Sequence, residues 1–522
     1  MNSKFIQRIK RSIVKIQGVN RNYNFDTPYL LQDEYESGGT GFFVDPKEFG
    51  SKFPLKRNCR YILTNFHVVQ HFSNRNCLVE WPERNQSYMI CEVRFVSPNL
   101  DFAILELDVG SLQPKWWTGD HIQWLETIKN CPLNTKDIVK GCSQSIKAIG
   151  FPNLQNDYMI SDGTLSSRGL GMLSLDLSIN AGNSGGPLFL KNKVIGICTA
   201  TICDSERLAL AVPIQEVFRF LNYWTNYDTI ILRLPCWGMG MKKLTVDYMD
   251  YKGIDHAFTG ALVKSTIKDQ ACANAGLKKG DILMGIETKD NNGKVIKYKI
   301  DNFGQVEFCS TDKRVRIDSV EYLLNLDPDY LVMHYYRRKK IHQVHVHLQP
   351  IDFKVRLRYP TYEEIEWTVF GGMIFSDLHL NMLTVDADEE EEEEEVAFDH
   401  SLLNDLKKSQ GMESIVILTH IIPQSYITFA SELEINDRLI KINNTKVKDT
   451  NHLIEILDKL AGDYYKGKST SSFITLKTQN NEHVLSLEQL SAQERSDNMT
   501  QHYNTPLRLL RQRNKRKRRA LA

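Results

Sequence analysis

Hydrophobic and polar positions alternate in short stretches from Ser12 to about Leu221. The apolar runs "SGGTGFFV", "YILTNFHVV", "CEVRFV", "DFAILEL", "SIKAIGFP", "MLSLDLSI" and "KVIGICTA" are separated by Gly, Pro, Asn and Asp. Period-two alternation bounded by turn residues predicts β-strands, and their regular spacing predicts a barrel or sandwich. The first strand is expected at "SIVKIQGV". Helical periodicity is first expected at "PIQEVFRFLNYW", near the end of this region.

Beyond Tyr227 the pattern becomes mixed. "TGALVKSTIKDQACANAGLKKGDILMGIE" reads as strand, short helix, glycine turn and strand. "DSVEYLLNL" reads as a helix, and "HQVHVHLQ" as an edge or closing strand. A similar order recurs in "ESIVILTHIIPQSYITFASELEINDRLIKINNTKV", followed by a helix at "TNHLIEILDKL" and a strand at "SSFITLKTQ". Repetition of one β-α-β order predicts two copies of a small α+β module. The expected divisions are residues 1–228, 229–350 and 351–490, with a basic tail at 491–522. Residues 386–395 are an acidic run that repels itself and is expected as a solvated loop.

Composition narrows the class. The chain has 522 residues, 25% charged and 42% hydrophobic, with a net charge of +1. That balance fits a soluble globular protein of several domains and gives no overall field for a nucleic acid or membrane. No apolar run is long enough to span a bilayer. The ten cysteines show no CxxC pair and read as reduced thiols. The opening "MNSKFIQRIKR" is basic, which raises a mitochondrial presequence, but "SIVKIQGV" already begins the folded region.

Candidate chemistry centres on "SINAGNSGGPLFL". A serine hydroxyl becomes a nucleophile at neutral pH only with a base beside it and a group that orients the base. It also needs backbone N–H groups aimed at the developing oxyanion. Glycines around Ser184 suit that last need, because Gly182 can adopt backbone conformations closed to other residues. The N–H groups of Gly182 and Ser184 are the expected oxyanion donors, with Asn183 holding the loop. "LTNFHVV" places His67 after a strand and a Thr-Asn turn. "SPNLDFAILEL" places Asp101 at the start of another strand. The chain order His67, Asp101, Ser184 is that of double-barrel serine proteases.

With these residues the chain resembles the HtrA/Deg family of serine proteases. "TNFHVV", "DFAILEL" and "GNSGGPL" match its three catalytic segments, and "SGGTGFFV" the stretch before the histidine. "ALVKSTIKDQACANAGLKKGDIL" resembles the family's PDZ pattern, and "GGMIF" opens a more divergent second module. The resemblance implies a mainly β fold: a chymotrypsin-like double β-barrel followed by two α+β PDZ domains. It implies an ATP-independent endopeptidase of unfolded or damaged proteins, without cofactor, working as a trimer or a multiple of trimers. Thr40 and Phe42 depart from the family's commoner residues beside the substrate edge, and Asn274 from its PDZ helix pattern. The alternative is a peptide-binding or chaperone protein with little proteolytic activity.

By the same resemblance Ser178 lies at the base of the primary pocket, with Ile179, Thr199, Ala200 and Thr201 along its walls. Such a pocket favours small or medium aliphatic side chains over Lys or Arg. PDZ modules bind extended peptides by strand addition, and Trp237, Gly238, Met239 and Gly240 are the expected carboxylate loop for C-terminal peptides. His345 and His347 share one face of a strand, but no third ligand is identifiable and no metal is expected. The glutamate run lacks the spaced ligands of a Ca²⁺ site. "RQRNKRKRR", residues 511–519, carries the only strong route to nucleic acid and predicts a nuclear or nucleolar location, with cytoplasm and mitochondrion as alternatives.

Overall fold

The computed structural model describes residues 3–30, 32–50, 52–81, 87–109, 124–135, 143–168, 171–201, 208–223, 229–289, 293–308, 313–319, 326–327, 330–383, 406–466 and 471–495. The acidic run at 386–395, most of the helix expected at "DSVEYLLNL" and the cluster at 511–519 lie outside them.

The alternating runs form two closed six-stranded barrels. The first comprises Ile13–Arg21, Glu34–Val44, Cys59–Thr64, Asn76–Trp81, Ser87–Ser97 and Phe102–Asp108. The second comprises Gln144–Gly150, Met159–Arg168, Leu173–Asp176, Pro187–Leu190, Lys193–Thr201 and Leu208–Pro213. Strands in each are hydrogen-bonded in the cyclic order first, second, third, sixth, fifth, fourth, so both barrels share one topology. This is the chymotrypsin-like double barrel expected from the sequence. Closure removes the unpaired edges that a sheet of such apolar strands would expose.

The helix at Ile214–Tyr223 docks through Phe218, whose ring stacks on Phe49 at 5.6 Å. Phe49 in turn stacks on Phe53 at 4.4 Å. Each buried ring adds about 1.5–3 kcal/mol of hydrophobic stabilisation. The first helix of the chain was not expected. The basic opening segment forms Ser3–Ile9, with Ile9 buried and Phe5 edge-on to Phe189.

Two compact units result: Met1–Asn20 with Tyr35–Ile351, and Arg21–Glu34 with Asp352–Ala522. The first unit also holds a sheet in the order Met239–Lys242, Ala261–Thr266, Ile282–Lys289, Leu331–Arg337, Lys340–His345, leaving Met239–Lys242 at one edge.

In the second unit Trp367–Phe370 and Met373–Asp377 form a hairpin that pairs with Val416–Ile421. Its two-residue turn, Gly371 and Gly372, has φ of 60° and 94°, values that favour glycine. The helix Thr450–Tyr465 buries Leu453, Leu457 and Ala461 at four-residue spacing, and Asp449 caps it by accepting from the His452 N–H at 2.7 Å. Residues 21–34 belong to this unit. Tyr29 lies against Trp367 and His420, and Phe25 meets the buried ring of His379 edge-on at 5.7 Å. The final helix, Leu487–Arg495, carries regular structure into the segment assigned to the tail. No helix among the described residues is long and apolar enough to cross a membrane.

Candidate active site

Strand Cys59–Thr64 ends at Asn65, and the chain turns into a one-turn helix, Phe66–Val69. Phe66, Val68 and Val69 are buried, which leaves the His67 side chain 41% exposed. Asp101 stands just before strand Phe102–Asp108, at φ 48°, a conformation that Asp tolerates better than most residues. Pairing of Thr64 with Ala103 brings Asp101 to the start of the short helix. Its Oδ1 accepts the His67 backbone N–H at 3.0 Å, and its Oδ2 lies 2.9 Å from His67 Nδ1. Asn65 Nδ2 donates to the Asp101 carbonyl at 2.8 Å. With the proton on Nδ1, Nε2 is the unprotonated nitrogen, able to act as a base.

The segment "AGNSGG" is a turn between strands. Ser184 Oγ donates to the Thr199 carbonyl at 3.0 Å, and Thr199 Oγ1 donates to Asp101 Oδ2. Ser184 is thus linked to Asp101 through Thr199, while no hydrogen bond joins Ser184 to His67 among the described residues. Gly39 allows the two segments to meet. A Cβ there would lie 2.7 Å from the Ser184 carbonyl oxygen and 2.8 Å from the side chain of Val68, next to His67.

Gly182 has φ 91°, and a Cβ on it would fall 2.3 Å from the Phe151 carbonyl. Among the described residues neither the Gly182 nor the Ser184 amide N–H meets a protein acceptor. Both remain available to an oxyanion. Asn183 holds the turn through its backbone: its N–H donates to Asn180 O at 3.1 Å and its carbonyl accepts from Gly186 N at 3.0 Å. Its buried side-chain carbonyl has no hydrogen-bond partner among the described residues.

Of the expected pocket residues, Ser178 is exposed, and Ile179 packs into the core of the second barrel with Leu177 and Leu188. Thr199 is buried and commits its hydroxyl to Asp101. Ala200 and Thr201 continue the strand, pairing with Leu210 and Ala209, but their side chains lie outside the described residues.

In the expected peptide loop, Trp237 is buried and its indole N–H donates to Ile317 O at 2.9 Å, so its ring serves the core. Gly238 adopts φ 64°, Met239 and Gly240 open the edge strand, and the Gly238 N–H has no acceptor among the described residues. His345 and His347 are exposed, and the described residues hold no group of three or more metal-ligating side chains. The seven described cysteines are free thiols.

Sequence reading missed Asn65 as a ligand of the Asp101 backbone and Thr199 as a donor to its carboxylate. A hydroxyl or amide in the right place was the only signal, and its partner comes from a strand far along the chain.

The family model for the trypsin-like peptidase domain matches residues 39–197, and that for the PDZ domain matches residues 359–508. The chain is 24% identical over 466 residues to "Putative protease Do-like 3, mitochondrial" of Arabidopsis thaliana, covering 86% of this chain and 72% of that protein. It is 22% identical over 466 residues to "Protease Do-like 4, mitochondrial" of the same plant, covering 86% and 76%. It is 26% identical over 273 residues to "Probable periplasmic serine endoprotease DegP-like" of Pseudomonas fulva (strain 12-X), covering 50% and 51%. Among solved structures, "HtrA-type protease AlgW with decapeptide" aligns with 67% of this chain and 98% of its own at 19% identity, with a TM-score of 0.44.

Proposed function

We propose that this chain, which carries a trypsin-like peptidase domain and a PDZ domain and is homologous to the Do-like, DegP and HtrA proteases, is an ATP-independent serine endopeptidase of unfolded or damaged proteins. The observation that carries the reading is the pairing of Asp101 with His67 beside a serine turn whose Gly182 and Ser184 N–H groups are unoccupied.

In the proposed cycle the Ser184 hydroxyl leaves the Thr199 carbonyl and attacks the peptide carbonyl as His67 Nε2 takes its proton. Asp101 fixes the imidazole tautomer and stabilises the imidazolium. The oxyanion is bound by the Gly182 and Ser184 amides. His67 then protonates the leaving amine, and water hydrolyses the acyl-enzyme by the same route in reverse.

Ser178, Ile179 and the strand Thr199–Thr201 are assigned to the primary pocket. In the first PDZ module the loop Trp237–Gly240 and the open edge Met239–Lys242 supply backbone groups to an extended C-terminal peptide. The same reading divides the chain at 228, 350 and 490 and assembles it as a trimer or a multiple of trimers. On location, relatives named as mitochondrial favour the mitochondrial alternative, and the nuclear reading of residues 511–519 finds no support among them.

The test is cleavage of β-casein by the full-length protein beside its Ser184→Ala form. Loss of at least about 10³-fold with an unchanged melting temperature is expected. Undiminished cleavage by Ser184→Ala would sink the assignment of the nucleophile, and absence of cleavage by the parent would return the peptide-binding alternative.

A further inference from the structure

Thr40 is fully buried, 0% exposed, on strand Glu34–Val44, and every polar atom it has is engaged. Its backbone N–H donates to the Ser184 carbonyl at 2.8 Å. Its carbonyl accepts from Thr64 Oγ1 at 2.7 Å, at the end of the strand that leads to His67. Its hydroxyl donates to the Gly182 carbonyl at 2.7 Å and accepts from the Phe151 N–H at 3.0 Å. One side chain therefore joins the serine turn to the segment after strand Gln144–Gly150.

The orientation of an amide N–H in a trans peptide is set by whatever holds the carbonyl on its opposite side. The Ala181 carbonyl accepts from Asn153 N at 2.5 Å, which turns the Gly182 N–H the other way. The next peptide is held at both ends, its Gly182 carbonyl by Thr40 and its Asn183 N–H by Asn180. Gly182, at φ 91°, has the backbone freedom to let these peptides rotate. Without the Thr40 hydroxyl, the Gly182 carbonyl and the Phe151 N–H would both lose a partner in a buried place, and rotation is the way to relieve that.

We propose that Thr40 is a positioning residue for the oxyanion site: its hydroxyl ties the Gly182 carbonyl to the Phe151 amide, at the start of the segment whose Asn153 N–H fixes the Ala181 carbonyl, and by holding the peptides on both sides of Gly182 it keeps the Gly182 N–H in its catalytic orientation. The hydroxyl acts through Gly182 and not on substrate, so its contribution belongs to the transition state and not to ground-state binding. This rests on the peptidase reading of Ser184.

The test compares full-length Thr40→Val, which keeps the shape and removes the hydroxyl, with Thr40→Ser, which keeps the hydroxyl. The substrate is a peptide spanning a bond that the parent cuts in β-casein. For Thr40→Val, kcat should fall about 10- to 100-fold, part of the loss seen when an oxyanion donor is deleted, with KM within about twofold. The inhibition constant of a peptide boronate, which presents a tetrahedral oxyanion, should rise by a similar factor. Thr40→Ser should restore both to within about threefold. If Thr40→Val does not fold, Thr40→Ala carries the same expectation. A parental kcat in the hydroxyl-free variant, a loss confined to KM, or failure of Thr40→Ser to restore activity would overturn the inference. A parent that neither cleaves casein nor is labelled at Ser184 by a fluorophosphonate would instead overturn the peptidase reading.

Discussion

Asp101 holds His67 at two points, taking the backbone N–H on Oδ1 and facing the ring Nδ1 with Oδ2. The backbone contact satisfies one of the first N–H groups of the helix, which have no partner within it. Imidazole and helix are thus referenced to one carboxylate, and a shift of that carboxylate would move both. Thr199 and Asn65 brace it from two sides, one on the carboxylate and one on the carbonyl.

Removing a brace should therefore cost activity. A hydrogen bond to a charged group contributes about 1.5–3 kcal/mol. Thr199→Ala is expected to lower kcat on a casein-derived peptide about 10- to 100-fold, while Thr199→Ser stays near the parent. Parental kcat in Thr199→Ala would mean that His67 and Asn65 suffice to hold Asp101.

Cleavage should follow Val, Ile, Ala or similar residues. On the proposed pocket assignment, Ser178 stands where an acidic residue would attract Lys or Arg. A methylene more or less changes discrimination by only about 1–3 kcal/mol, so the preference should be broad. Mass spectrometry of casein fragments reads it directly, and a majority of cuts after Lys or Arg would refute the pocket assignment.

If residues 229–350 form a PDZ module as proposed, Met239–Lys242, at the edge of its sheet among the described residues, should bind a hydrophobic C-terminal peptide. A ligand there changes cleavage only if it prefers one of two states of the protease. Calorimetry and kinetics on the full-length protein are expected to show binding with a change in casein cleavage rate. Binding with identical rates would leave this module as a tether.

The second unit should be sensitive to acid through His379. This ring is 2% exposed, beside Arg356, Arg358, Glu363 and Phe25, and burial with the two arginines lowers its pKa to about 3. The unfolded chain binds a proton near pH 6.5 that the folded chain refuses, so stability is complete above that pH and declines as pH falls towards 3. At pH 5 the loss is on the order of 2 kcal/mol. Asp377 runs the other way, since burial raises its pKa to about 6 and its contribution fades as pH rises from 3.8 through 6. Thermal unfolding of the full-length protein between pH 4 and 7 should show a shallower acid decline for His379→Leu than for the parent. Equal slopes would assign the acid sensitivity elsewhere.

Much of this was legible in the sequence, for identifiable reasons. The barrels could be read because residues such as those of "DFAILEL" alternate between turn signals. The pairing of His67 with Asp101 could be anticipated because each sits in a distinctive local context, while the nucleophilic role of Ser184 stays with the proposed function. The roles of Thr40 and Thr199 could not, since both depend on contacts with strands far away in the chain. Trp237 was expected among ligand-binding residues because it adjoins the glycines, but the fold uses its ring for the core. The helix Ser3–Ile9 was overlooked because seven residues are too few to establish a helical period.

The placement of residues 21–34 also constrains the order of events during synthesis. Tyr29 emerges from the ribosome more than three hundred residues before Trp367 and nearly four hundred before His420, the rings it packs against. Domains generally fold as they appear, from the N-terminus onward. The first barrel can close its strands Ile13–Arg21 and Glu34–Val44 early, but the connection between them must wait, without its partners, until nearly the whole chain has been made.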